Sequence, residues 1–238
     1  MTETNSNGLH PGASRRDFLR GSAAAVVGGS LTATLGAARL AHAAADGVLK
    51  VGLIGCGGRG NGAAANAMKA DPNVKLTAMG EVFPDRLEQA RKVLQTSLKE
   101  KYAVTDDCAF SGFDAYKGVI DSGVDVVILA EPPHFRPLHL RYAIEKGKHV
   151  FCEKPVAVDG PGVRHVLETT EMAKQKNLNI VSGLCWRYDY AVRETMKRLM
   201  DGAIGDVVAM QMDYLTGVLW HRGREPEWSE MEYQLRNW

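Results

Sequence analysis

Cysteine is scarce: Cys56, Cys108, Cys152 and Cys185 are spread widely over 238 positions. No CxxC pair and no Cys/His cluster has ligand spacing, so the sequence predicts no metal site. A surplus of charge of either sign is missing as well, with 29 basic against 28 acidic residues. The first 45 residues hold four of the basic and two of the acidic ones, which leaves 25 against 26, a net of −1. Without a basic surplus or a long basic run there is no electrostatic reason to expect a nucleic acid partner. Internal repeats and low-complexity linkers are absent too. Aromatic residues make up only 7%, yet three of the four tryptophans, Trp220, Trp228 and Trp238, fall near the end beside Arg222, Arg224 and Arg236. Such a cluster suits a sugar-stacking face, but core or subunit interface is the more ordinary use.

The N-terminus supplies an address. Ser14-Arg15-Arg16-Asp17-Phe18-Leu19-Arg20 has the paired arginines and following apolar pair of a twin-arginine signal. Residues 21–38 then form an uncharged stretch of 18, diluted by four glycines, and Ala41-His42-Ala43 offers a small-x-small cleavage pattern. A signal peptide over 1–45 and delivery to the periplasm, through the twin-arginine export machinery, are expected; an uncleaved anchor is the alternative. Proteins on that route fold before crossing, so buried, reduced cysteines are expected rather than disulfides.

From residue 46 onward, short apolar runs alternate with helical patterns. Strand candidates are Val48–Ile54, Val74–Met79, Val124–Ala130, His149–Cys152 and Asn179–Ser182, with a less clear strand and helix over 102–122. Helices are expected over 61–70, from Pro84, after Pro137 up to a Gly147 cap, and over about 190–200. One more carries Val163, Val166, Leu167, Thr170 and Ala173 on one side. This alternation predicts an α/β fold, a doubly wound parallel Rossmann sheet over 46–183. Residues 184–238, with a longer strand at Val207–Tyr214, read as the start of an α+β second domain that the chain does not finish.

Two motifs carry chemistry. Gly55-Cys56-Gly57-Gly58-Arg59-Gly60 follows the first strand and opens a helix, and Glu81 stands twenty-one residues beyond Gly60 at the end of the next strand. Glycines there permit the tight turn, close backbone approach to a pyrophosphate and close helix packing, while an acid at that distance accepts ribose hydroxyls. The carboxylate would repel a 2′-phosphate, so NAD is favoured over NADP; Arg59 could partly offset that repulsion. A purely structural glycine turn and a solvated acid remain the bland alternatives. The second motif, Glu153-Lys154-Pro155, sits at the carboxyl end of a strand, where ligands of open α/β sheets gather. Lys154 there can polarise a hydroxyl or carbonyl and move a proton, although a plain surface turn would look the same.

The glycine fingerprint, the Glu-Lys-Pro turn and the spacing between them resemble the Gfo/Idh/MocA family of sugar and cyclitol oxidoreductases. Ala130-Glu131-Pro132-Pro133-His134 and Gly202-Ala203-Ile204-Gly205 extend the likeness from about Val48 to the C-terminus. The resemblance implies that Lys154 lies beside nicotinamide and substrate as the catalytic residue. It implies that Gly55, Gly57, Gly58, Arg59, Gly60, Glu81, Pro132, His134, Glu153 and Arg187 bind cofactor, and that Trp186 and Tyr188 approach the substrate with Lys154. The family's remaining catalytic residues, an Asp and a His in the second domain, would fall beyond Trp238, so this stretch alone is expected to be inactive. Homo-oligomers through the second-domain sheet are expected of a full-length protein.

Three functions fit these residues. An oxidoreductase would pass hydride between a small-molecule carbohydrate and a tightly held cofactor, since the periplasm offers no obvious pool of free nucleotide. A redox-neutral, NAD-dependent glycoside hydrolase would oxidise a sugar transiently, eliminate a group and return the hydride. A non-catalytic nucleotide- or sugar-binding protein would leave Lys154 without a purpose. His139, with no ligand spacing, reads as an ordinary helix residue.

Overall fold

The computed structural model describes residues 47–238, and the signal sequence and its cleavage pattern lie outside them. Six strands form one sheet: β1 Leu49–Ile54, β2 Val74–Glu81, β3 Ala109–Ser111, β4 Val126–Leu129, β5 His149–Cys152 and β6 Ile180–Ser182. Every pairing is parallel and the order is β3-β2-β1-β4-β5-β6. Chain direction across the sheet therefore reverses at β1, and the β1/β4 junction becomes the topological switch point where a crevice opens at the carboxyl ends.

Helices cover both faces because the strands are apolar on both. On one face α1 Gly58–Ala70 and α2 Pro84–Leu98 lay Ala64, Met68, Leu87, Ala90 and Leu94 over Val51, Leu53, Leu76 and Met79. On the other, α3 Ala115–Asp121, α4 Arg136–Glu145 and α5 Gly160–Gln175 cover Val127, Leu129, Val150 and Cys152. The alternation of the pleat is visible within β4: Val127 and Leu129 belong to the second core and Ile128 to the first. Pro84 sits in the first turn of α2, where its missing N–H costs nothing, and Gly147 adopts φ +74 just past α4.

Two expectations need correction. Residues 207–214 form no strand; Val208, Met210 and Met212 stand exposed, because a lone strand has no ladder to join among the described residues. In α5 the buried positions are Thr169 and Ala173, whereas Val163 and Leu167 face outward. The helix packs chiefly against α4, and only a narrow part of its surface, around Ala173, joins the core. The Trp/Arg residues near the end of the sequence pack against α2 through Arg236. Helix α7, Glu230–Arg236, puts the buried Arg236 guanidinium against Asp85 at the start of α2, with two bonds of 3.0 Å. The intervening elements are a 3₁₀ turn at Cys185–Tyr188 and helix α6 at Tyr190–Met200, none of whose residues is buried. Among the described residues no helix is long and apolar enough to cross a membrane.

Leu53, on the central strand, has no exposed surface. Leu53→Ala removes buried methyl groups at one of the fully enclosed positions of the core. It is expected to cost about 3 kcal/mol in urea unfolding; a loss below about 1 kcal/mol would show that this core collapses around the change.

Candidate nucleotide-binding site

The chain leaves β1 through a turn that only glycine can make. Gly55 has φ +88, and a Cβ there would lie 2.3 Å from the backbone nitrogen of Glu131. At Gly60 a Cβ would fall 1.9 Å from the Gly55 carbonyl oxygen. These two positions hold the loop against the end of β4 and the first turn of α1 against the loop. Gly57 and Gly58 differ: a Cβ at either meets nothing within 4 Å, so the backbone there faces open space. Helix α1 begins at Gly58 with no acidic residue in its first turn, which leaves the positive end of the helix uncompensated. Free N–H groups, a helix N-terminus and no side chains make a cradle for phosphate oxygens.

Glu81 stands at the flank of this cradle, buried at the end of β2. Its Oε2 accepts from the Cys56 amide at 2.8 Å, and Oε1 accepts from the Phe83 amide at 3.3 Å. The carboxylate thus ties the glycine loop to β2 and still keeps a lone pair on each oxygen. The crevice, about 640 Å³, is lined by the loop, Glu81, Phe83, Arg86, Glu131 and Pro132 among others. Two side-chain oxygens on its lining, Asn61 Oδ1 and Glu131 Oε2, are buried without a hydrogen-bond partner. A site of this shape and polarity fits the pyrophosphate and riboses of a dinucleotide.

Arg59 turns away from Glu81. Its Nε donates to Glu153 Oε1 at 2.6 Å, linking the glycine loop to the end of β5. Glu153 is buried and also accepts from the Lys154 amide at 3.2 Å, so its role is to brace the loop that carries Lys154. Lys154 itself is exposed and precedes a cis peptide to Pro155. Pro132 lines the crevice, whereas His134, Lys154, Trp186, Arg187 and Tyr188 do not. Trp186 packs edge-on to Tyr214, and Tyr188 borders a separate apolar groove against Val51, Ile128 and Phe151. Gly55, Gly57, Gly58, Arg59, Glu81 and Pro132 therefore share one crevice, whereas His134, Glu153, Lys154 and Arg187, also expected at the cofactor, do not line it.

One buried pair was not legible in the sequence. His139 Nδ1 lies 3.1 Å from Glu131 Oε1, both side chains are enclosed, and the imidazole stacks on Tyr116 at 4.0 Å. Arg136 donates to the carbonyls of Glu131 and Pro155, fastening the two loops at the ends of β4 and β5. The eight-residue spacing from Glu131 to His139 was the only signal, and it crosses from a loop to a helix. Among the described residues no group of three or more His, Cys, Asp or Glu could hold a metal.

The thiols divide by burial. Burial, then the Glu81 charge, pushes Cys56 up, and its thiol donates to the Gly80 carbonyl at 3.4 Å. Cys152 is pushed up to about 12, chiefly by burial and then by Glu131. Cys185 is exposed, so buried cysteine was the right expectation for two of the four and the wrong one for Cys185. Iodoacetamide at mild alkaline pH should therefore label Cys185 first and Cys56 and Cys152 only on unfolding. Labelling of Cys56 in the native state would contradict the packed loop. Gly57→Ala should leave the melting temperature unchanged while weakening NAD binding at least tenfold; Gly60→Ala should lower both, checked by thermal melts and calorimetry.

Known proteins bear on this geometry. The Gfo/Idh/MocA oxidoreductase family, with its NAD-binding Rossmann fold, matches residues 49–183. A glycosyl hydrolase family 109 protein from Solibacter usitatus is 26% identical, covering 94% of this chain and 51% of its own length. Inositol 2-dehydrogenase 4 from Saccharopolyspora erythraea is 29% identical over 68% of this chain and 44% of its own. Among solved structures, scyllo-inositol dehydrogenase from Lactobacillus casei with bound NAD(H) and scyllo-inositol aligns with a TM-score of 0.52 and 26% identity. It covers 67% of this chain and 43% of that one. The chain spans about a third to a half of the curated relatives it matches. Since the match runs from β1 through β6 and takes in more than half of the residues, the chain belongs to the Gfo/Idh/MocA oxidoreductase family.

Proposed function

We propose that this chain is the cofactor-holding part of an exported NAD-dependent oxidoreductase. It would move hydride between a sugar or cyclitol carbon and a nucleotide that stays bound between turnovers. The observation that carries the reading is the glycine loop at the switch point, open at Gly57 and Gly58 and flanked by the Glu81 carboxylate. Export rests on the twin-arginine pattern at Arg15-Arg16.

The nicotinamide ring, when bound, supplies the hydride acceptor or donor. The chain's own residues do the rest. Amides of the Gly57–Gly60 loop bind the pyrophosphate. Glu81 accepts from the adenosine ribose hydroxyls and repels a 2′-phosphate, which favours NAD over NADP. By the family likeness, Pro132 and His134 would border the nicotinamide half, Arg187 would bind there too, and Trp186 and Tyr188 would approach the substrate. Glu153, braced by Arg59, orients the turn so that Lys154 Nζ takes the proton of a substrate hydroxyl as it is oxidised and returns it on reduction.

A second reading is a redox-neutral glycosidase, favoured by the glycosyl hydrolase relative whose likeness runs along nearly the whole chain. The two separate in single turnover of the full-length protein. The oxidoreductase changes nicotinamide absorbance when given a cyclitol or sugar. The glycosidase releases an aglycone without added cofactor and loses activity once NAD is stripped. Lys154→Ala should slow either reaction about a hundredfold or more, with nucleotide affinity unchanged. Undiminished turnover in that variant would sink the assignment of Lys154.

A further inference from the structure

One wall of the nucleotide crevice comes from the far end of the chain. Trp220, Arg222, Leu235, Arg236 and Trp238 line the same cleft as Glu81 and Arg86. Glu81 ends β2, which lies on the opposite side of β1 from β4, so this wall stands beside the ribose that Glu81 would hold. In a crevice entered across the switch point, that is the adenosine half.

The wall is anchored. Ser229 caps α7, accepting from the Glu232 amide at 3.2 Å. Arg236 forks onto Asp85, pairs with Glu232 at 2.9 Å, and lies 4.0 Å from the Phe83 ring centre and 4.9 Å from that of Trp228. Arg86 donates to the Arg236 carbonyl at 3.1 Å. Asn237 then clasps the preceding segment: its Oδ1 accepts from the Arg222 amide at 2.7 Å and its Nδ2 donates to the Arg222 carbonyl at 3.2 Å. Trp220 and Trp238 remain 62% and 52% exposed, with the Arg222 guanidinium 5.7 Å from the Trp220 ring centre.

We propose that Trp220, Arg222 and Trp238 bind the adenosine half of the dinucleotide. The indoles supply π faces for the adenine ring and the guanidinium adds a positive group beside Glu81. Arg236 is a positioning residue that locks this wall to the start of α2. Residues 220–238 are then part of the cofactor site, and their anchoring slows release of the nucleotide. This inference rests on the nucleotide reading above.

The test uses full-length protein stripped of nucleotide and titrated calorimetrically with ADP-ribose and, separately, nicotinamide mononucleotide. A Trp220→Ala/Trp238→Ala double variant, and Arg222→Ala, should weaken ADP-ribose about tenfold, with melting temperature and mononucleotide affinity unchanged. Arg236→Ala should weaken ADP-ribose likewise, and Arg236→Lys should recover part of the loss. ADP-ribose should also slow amide exchange over residues 218–238 in the unsubstituted protein. Binding within twofold of the parent in the double variant, with no such protection, overturns this assignment alone. A parent protein that binds neither ADP-ribose nor NAD overturns the nucleotide reading and this one with it.

Discussion

The site depends on how closely the glycine loop approaches the end of β4. No Cβ fits at Gly55 against the Glu131 nitrogen or at Gly60 against the Gly55 carbonyl. That contact sets where α1 begins, and so where its N-terminal amides point. It also lets the β1/β4 junction open as a crevice instead of filling with side chains. The parallel sheet, with both faces packed, supplies the rigidity that keeps the loop in place.

Around this contact the strand ends are cross-tied by charged groups that serve structure as well as recognition. Glu81 holds the loop through the Cys56 amide and retains lone pairs for a ligand. Glu153 is held from the other side by Arg59, and Arg136 joins the loops after β4 and β5. Each carboxylate is enclosed, and each has at least one partner, as the cost of burying a charge requires. A ligand entering the crevice therefore meets groups already oriented, which lowers the ordering cost of binding.

Much of this was legible in the sequence because it rests on local rules. Apolar runs of strand length, glycines at fixed offsets and an acid at the next strand's end located the sheet, its loop and Glu81. The rest turns on contacts distant in sequence. Arg59 sits beside Glu81 in the motif logic yet pairs with Glu153, 94 residues away. Arg236 reaches Asp85 across 151 residues, a pairing that no local pattern marks. His139 lacked ligand spacing, and only the fold shows it buried against Glu131. Residues 207–214 have a strand's composition, but a strand exists only where a neighbour offers a ladder.

The central claim is that the crevice holds a nicotinamide dinucleotide tightly. The most direct measurement is to purify the full-length protein, denature it, and identify and quantify any released nucleotide by mass spectrometry. NAD or NADH at close to one per chain, without NADP, is the result this account predicts. Protein that is empty on purification and binds neither NAD nor NADP when they are added would contradict it.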